Sequence, residues 1–249
     1  MTTRTMLRIM SYNIRFGGVG REERIAEVIK HAKADLVVLQ EATDTRVVGR
    51  LADLTLMPQW AARPKQSVAF LSRTPVDEFE WRYHSHMERA VLEIDLQGTR
   101  VFGVHLRATH SNYTERGRMR EVRAILEFAE KYKGEFHLLI GDFNTLAPGE
   151  LLNMSKLPTR YKVLAFLLGG RINFRAIRMM LDAGYSDCYR RFHSDPGFTF
   201  PARDPHVRLD YAFVPERFAD RVSDCSVMTG LDNPAKATDH LPLIVEVSA

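Results

Sequence analysis

Apolar positions along this chain recur with two different periods. Leu7-Arg8-Ile9-Met10 opens an extended segment that ends on Ser11-Tyr12-Asn13, and Gly17, Gly18 and Gly20 then form a loop. Across 21–33, Ile25, Val28, Ile29 and Ala32 fall on one helical face. Residues 35–40 are a fully apolar strand running into Glu41. Strand, helix and strand at this spacing predict a βαβ unit whose two strands are neighbours in one sheet.

The middle of the chain changes character. Residues 67–72, 76–84, 89–96 and 99–106 read as consecutive strands joined by short turns, Gln97-Gly98 among them, and predict an antiparallel meander. A long helix is expected over 113–132, with Met119, Val122, Leu126 and Ala129 inward and Arg116, Arg118, Arg120 and Arg123 mostly outward. A strand follows over 136–141. The second half repeats the plan loosely, with helical material and then strands near 208–214, 221–228 and 241–247. Lacking a linker rich in Pro, Gly or Ser, the pattern predicts one layered α/β domain over 1–249, two sheets face to face with helices outside.

Composition adds modest constraints. At 249 residues, 45% hydrophobic and 27% charged, the chain has ample length for a real core. Lys+Arg number 35 against 31 Asp+Glu, a net charge of +4 that favours an anionic partner such as nucleic acid or a phosphorylated head group. The first residues lack the apolar stretch of a secretory signal, and no apolar run reaches membrane-spanning length, so a cytoplasmic protein without a transmembrane segment is expected. Cys188 and Cys225 have no metal-like spacing and suggest no disulfide framework.

One segment departs from that average. Leu151 to Leu181 contains no acidic residue, while Lys156, Arg160, Lys162, Arg171, Arg175 and Arg178 are basic and interleave with Val163, Leu164, Phe166 and Leu167. Two readings stand: a pair of surface helices with solvated cations, or an insertion that grips phosphates or lies against anionic lipid.

Polar groups then cluster at strand ends. The first strand ends on Asn13, the second on Glu41, a third carries His105, and Leu138-Leu139-Ile140-Gly141 stops on Asp142-Phe143-Asn144. Asp210 sits in Arg208-Leu209-Asp210-Tyr211, and Asp239-His240 precede the last strand. Each has an ordinary explanation: an Asx-turn at Asn13, a helix start at Glu41, a satisfied core histidine at 105, an ion pair of Asp210 with Arg208, a turn cap at Asp239. Six such accidents at strand ends are harder to accept together, because rigid strands are where α/β proteins hold reactive side chains. In an extended segment residues two apart share a face, which would place Asp142 and Asn144 side by side. Carboxylates without cysteine suit a hard divalent cation, Mg²⁺ or Mn²⁺.

The ordered set Ser-Tyr-Asn13, Leu-Gln-Glu41, Val-His105-Leu, Gly-Asp142-Phe-Asn144, Arg-Leu-Asp210-Tyr and Thr-Asp239-His240-Leu-Pro resembles the endonuclease/exonuclease/phosphatase superfamily, over residues 7–247. That resemblance implies the deoxyribonuclease-I-like fold, a four-layered α/β sandwich of two mixed β-sheets, and metal-dependent cleavage of a phosphoester. It implies that Glu41 binds the metal, with Asn13 and Asp239 in its shell. Asp142 would orient or deprotonate the attacking water, and Asn144 would hold water or phosphate. His240, oriented by Asp210, would stabilise the transition state, and His105 would donate to a phosphate oxygen.

Within that superfamily the chain resembles the less specialised members. Exonuclease III-type enzymes carry Asn-Val-Asn/Asp-Gly and Gln-Glu-x-Lys, where this chain reads Asn13-Ile14-Arg15-Phe16 and Gln40-Glu41-Ala42-Thr43. The Trp-Cys-Asp-Arg run of inositol polyphosphate 5-phosphatases is missing, and Phe198-Thr199-Phe200-Pro201 before Arg208 is similar to bacterial members with diverse substrates. The expectation is a monomeric phosphodiesterase acting on DNA, with Arg107, Arg118, Lys156, Arg160 and Lys162 gripping substrate. The alternative is a phosphatase or phosphodiesterase on lipid or small phosphoesters.

Overall fold

The computed structural model describes residues 6–108, 112–150 and 174–248. Among these residues the strands form two six-stranded sheets. The first holds β1 (Met6–Asn13), β2 (Leu36–Gln40), β3 (Gln59–Ala61), β4 (Ala69–Ser72), β11 (Val222–Val227) and β12 (Leu243–Ser248), in the order β11-β12-β1-β2-β4-β3. The second holds β5 (Glu78–Arg82), β6 (Val91–Leu96), β7 (Thr99–His105), β8 (His137–Asp142), β9 (Tyr185–Asp187) and β10 (Asp210–Pro215), in the order β5-β6-β7-β8-β10-β9. The helices are α1 (Glu22–Ala32), α2 (Thr45–Thr55), α3 (Asn112–Glu130), α4 (Arg175–Asp182) and the short α5 (Cys188–Phe192).

Three buried layers explain the apolar runs. Between the sheets lie Leu7, Ile9, Leu36 and Val38 from one side and Leu92, Ile94, Leu138 and Ile140 from the other. On the outer face of the first sheet, Met10, Tyr12, Val37 and Leu39 pack against Ile25 and Ile29 of α1 and Val48 and Leu51 of α2. On the outer face of the second, Phe102, Leu139, Tyr211 and Phe213 pack against Val122 and Ile125 of α3 and Ala176, Ile177 and Met180 of α4. A central strand covered on both faces needs apolar side chains at every position, so it reads as a continuous run. Each fully buried Leu or Ile contributes on the order of 1.5–3 kcal/mol.

The predicted βαβ unit is present: β1 and β2 are parallel neighbours, with α1 between them in sequence. The second sheet repeats the device, with β7 and β8 parallel and α3 between them. The expected four-strand meander is divided. The strand at 69–72 belongs to the first sheet, antiparallel to β2, whereas β5, β6 and β7 alone make the antiparallel run. The chain changes sheet between Ser72 and Glu78.

Arg118 also departs from expectation. It is buried against Glu115, with its Nη2 3.0 Å from Glu115 Oε2, and donates to the Arg107 carbonyl oxygen, while Arg116, Arg120 and Arg123 are exposed as predicted. Of the basic segment, Arg175–Asp182 is helical with Arg175 and Arg178 exposed. Lys156, Arg160, Lys162 and Arg171 lie outside the described residues. Among the described residues no helix is long and apolar enough to cross a membrane.

Candidate active site

The two parallel pairs end at the same place. In register, Asn13 of β1 faces Gln40 at the end of β2, one residue before Glu41, and His105 of β7 faces Asp142 of β8. The carboxyl ends of parallel strands are where open backbone and loops leave room for chemistry. Gly141 makes the second pair possible. Its φ is 153°, and a Cβ there would stand 2.0 Å from the Val104 carbonyl oxygen. Only glycine lets β8 approach β7 so closely one residue before Asp142.

Asp142 is the hub. Its Oδ2 accepts from Asn13 Nδ2 at 3.1 Å and lies 3.7 Å from His105 Nε2 and 3.8 Å from His240 Nε2. Its Oδ1 accepts from the Asn144 N–H at 2.9 Å. Asn144 has φ 50°, so the chain turns there instead of continuing extended, and the Asp142 carboxylate is joined to the Asn144 backbone through an Asx-turn and not by strand alternation. The Asn144 carboxamide donates Nδ2 to the Leu106 carbonyl oxygen at 3.0 Å, leaving its Oδ1 as an acceptor.

His240 Nδ1 lies 2.9 Å from Asp210 Oδ2. Asp210 therefore pairs with His240 and not with Arg208, whose guanidinium is buried between Asp187 and Glu150. Asp210 is fixed from behind by Thr199, whose hydroxyl accepts from the N–H groups of Leu209 and Asp210. Burial works against a charged His240, but the Asp210 carboxylate outweighs it and raises the imidazole to about 10. Burial likewise lifts the Asp142 carboxyl to about 7, against the pull of the His240 charge and with the help of Asp210.

His105 is held differently. Burial, then the charges of Arg89 and His240, keep it well below the usual histidine range and therefore neutral. Ser67 Oγ accepts from the Glu41 N–H at 3.2 Å and lies 2.5 Å from His105 Nδ1. A hydroxyl has one proton to give, and His105 Nδ1 is the acceptor beside it. That assignment leaves the ring proton on Nε2, the nitrogen facing Asp142.

Glu41 has φ 56° and does not start a helix; α2 is capped instead by Asp44. Its Oε1 accepts from Asn13 Nδ2 at 3.3 Å and its Oε2 from the Phe16 N–H at 2.7 Å. Asn13 thus presents one NH₂ to both Glu41 and Asp142, while its Oδ1 accepts from the Arg15 N–H. Asp239 is half-buried with Oδ2 3.2 Å from Arg15 Nε.

Asp142, Asp210 and His240 each offer an atom within 4.8 Å of the others. A protonated imidazole has no free lone pair for a metal, so His240, while charged, is a poor ligand. The donors suited to a hard cation are the oxygens of Glu41 and Asp142 on either side of Asn13, with Asp239 at the rim. Asp210 Oδ1, buried with no hydrogen-bond partner among the described residues, adds further negative potential to the same space.

Arg107 and Arg118 stand apart from this cluster. Arg107 Nε is 3.2 Å from Glu121 Oε1, and Arg118 is engaged with Glu115. Sequence reading also passed over several contributors: Ser67, Thr199, the Arg15-Phe16 turn, and Phe200, whose ring centroid is 5.0 Å from that of His240. The one available signal was position, since Arg15 and Phe16 follow Asn13 directly and Thr199-Phe200 precede the Asp210 strand.

The sequence matches the model of the Endonuclease/Exonuclease/phosphatase family over residues 10–240. No functionally curated protein matches it. Among solved structures, a Neisseria 3′-phosphatase bound to a product DNA hairpin has a TM-score of 0.74 at 19% identity, covering 98% of this chain and 100% of that one. An AP endonuclease from Archaeoglobus fulgidus has a TM-score of 0.69 at 17% identity, covering 96% and 98% respectively. A truncated TDP2 from Caenorhabditis elegans has 0.63 at 16% identity, covering 98% of each chain. At such identities these likenesses carry the fold alone.

Proposed function

Because the chain belongs to the endonuclease/exonuclease/phosphatase family, hydrolases of phosphoester bonds, we propose that it is a divalent-cation-dependent phosphodiesterase that cleaves nucleic acid, with DNA as the first choice. One observation carries the reading: the Asp142 carboxylate is shared by Asn13, His105 and His240 at the joint ends of both sheets. Mg²⁺ or Mn²⁺ held by Glu41, Asp142 and the Asn13 carboxamide, with Asp239 at the rim, would neutralise charge on the phosphate and the departing oxygen.

The chain's own residues divide the remaining work. Asn144 Oδ1 accepts a hydrogen from the attacking water and aims its lone pair at phosphorus. As the new P–O bond forms in line with the breaking one, the water's proton passes to a carboxylate oxygen of Asp142. His105 donates its Nε2 proton in a hydrogen bond to a non-bridging oxygen. The His240 imidazolium, held charged by Asp210, stabilises negative charge as the transition state develops.

Nucleic acid is favoured by the net charge of +4, by the acid-free basic segment of the sequence, and by the Neisseria neighbour, which was solved with DNA. The test is a substrate panel with Mg²⁺, Mn²⁺ or EDTA and an Asp142→Asn control. It contains single- and double-stranded DNA, abasic DNA, RNA, phospholipid, sphingomyelin and a chromogenic diester. Metal-dependent cleavage of nucleic acid that disappears in Asp142→Asn is expected. Turnover of lipid phosphoesters alone would overturn the nucleic-acid assignment in favour of the lipid reading.

A further inference from the structure

Phe16 is 75% exposed, three residues after Asn13, and none of the chemistry above uses its ring. It is held out by a costly backbone. Arg15 and Phe16 both have left-handed φ, 50° and 48°, a region that side chains bearing a Cβ seldom occupy. The turn is fastened to the site itself. Phe16 N–H donates to Glu41 Oε2 at 2.7 Å, and Gly17 N–H donates to the Glu41 carbonyl oxygen at 2.9 Å. The Arg21 guanidinium then clamps the turn by donating to the carbonyl oxygens of Ile14 at 3.0 Å, of Arg15, and of Ala237, two residues before Asp239, at 2.5 Å.

The ring's surroundings define what it can meet. Arg15 Cζ is 5.2 Å from the ring centroid, and Arg15 Nε is 3.2 Å from Asp239 Oδ2, next to His240. The ring is therefore open to solvent and tied through Arg15 to the residue that precedes His240. Strained backbone and exposed apolar surface are both unfavourable in the free protein, and such combinations persist where a ligand uses them.

We propose that Phe16 is a stacking platform for the nucleobase beside the scissile phosphate. The proposal rests on the nucleic-acid reading above and deepens it. A base joined to the bound phosphate offers a flat π face one nucleoside away, and an aromatic ring accepts any base, which suits a nuclease without strict sequence choice. A bilayer is the poorer fit, because Phe16 and Val19, the exposed apolar side chains of the loop, offer less apolar surface than the single acyl chain that by itself binds a bilayer only marginally.

The test uses oligonucleotides carrying 2-aminopurine on either side of the cleaved bond. Binding is read in the full chain with Asp142→Asn, and turnover in the parent, each with Phe16→Ala and Phe16→Trp. Stacking quenches 2-aminopurine, so quenching on binding is expected, lost with Phe16→Ala and kept with Phe16→Trp. The KM for oligonucleotide should rise about ten-fold in Phe16→Ala, with kcat changed much less, and return to within about two-fold in Phe16→Trp. Equal KM and quenching in Phe16→Ala, with DNA cleavage intact, would overturn this proposal and leave the nuclease reading standing. If the parent cleaves no nucleic acid, both fall. If Phe16→Ala instead loses binding to phosphatidylserine vesicles while its oligonucleotide KM is unaltered, the ring is a membrane anchor and the stacking role is wrong.

Discussion

Ser67 Oγ and His105 Nδ1 are 2.5 Å apart, and the same hydroxyl receives the Glu41 N–H, so one small side chain links the end of β2 that carries Glu41 to the end of β7 that carries His105. Ser67→Ala removes the proton that keeps His105 Nδ1 an acceptor. The ring is then free to carry its own proton on Nδ1 and lose the donor that faces Asp142. We expect kcat to drop about ten-fold, the lower end of what outer partners of site residues usually cost. The ¹⁵N ring shifts of His105 should change from a single Nε2–H form to a mixture. Unchanged shifts would show that Ser67 does not set the tautomer.

Asp210→Asn separates His240 from its counter-charge. The parent His240 is raised above its unfolded value of 6.5 to about 10, so its pairing stabilises fully below about pH 6.5 and is lost as pH climbs through about 10. The variant should be less stable by about 3–5 kcal/mol near neutral pH, the usual cost of breaking a buried pair. The difference should shrink above about pH 10, as urea melts at several pH values would show. Activity should fall about 10²–10³-fold at neutral pH. A constant stability difference across that pH range would count against a charged His240.

Cation binding should depend on pH through Asp142. Its carboxyl is raised from 3.8 to about 7, so the metal-free protein carries an extra proton between those values and this group's contribution to stability declines as pH rises through 7. A divalent cation competes with that proton. Mn²⁺ affinity, measured by calorimetry, should increase up to ten-fold per pH unit below about 7 and flatten above it. Glu41→Gln should weaken binding at every pH. Affinity that stays level from about pH 5.5 to 8.5 would remove Asp142 from the cation's surroundings.

Gly141→Ala should damage stability and activity together. The added methyl would stand 2.0 Å from a backbone oxygen of β7, which cannot rotate away as a side chain would. Separating β7 from β8 displaces His105 and Asp142 at once. We expect a loss of about 1–3 kcal/mol in chemical denaturation and activity lower by more than the unfolded fraction explains. A variant of parental stability would show that the strands have slack at this point.

Much of this architecture was legible because burial on both faces writes itself into sequence. The runs at 7–13, 35–40 and 136–141 are dominated by buried apolar residues, and Asn13, Glu41 and Asp142 stand at or just past their ends. The helix Thr45–Thr55 entered only as a helix start at Glu41, although Val47, Val48, Leu51 and Ala52 have helical spacing and Asp44 caps it. The change of sheet after Ser72 was illegible for a better reason. Local alternation says that a strand forms, but the partner of β4 is β2, thirty-odd residues back, and no short-range pattern specifies that pairing. Arg118 misled because a helical arginine is usually solvated; Glu115, three residues earlier, was the clue to its buried pair. Ser67 and Thr199 are hydroxyls whose roles depend wholly on what surrounds them.

The reactive set is drawn from both sheets, and its last members, Asp239 and His240, come just before β12, which pairs with the very first strand of the sandwich. Under the proposed mechanism, Asp239 and His240 can join the carboxylates borne by β2 and β8 only once β12 has paired with β1, so completing the site and closing the first sheet are one event.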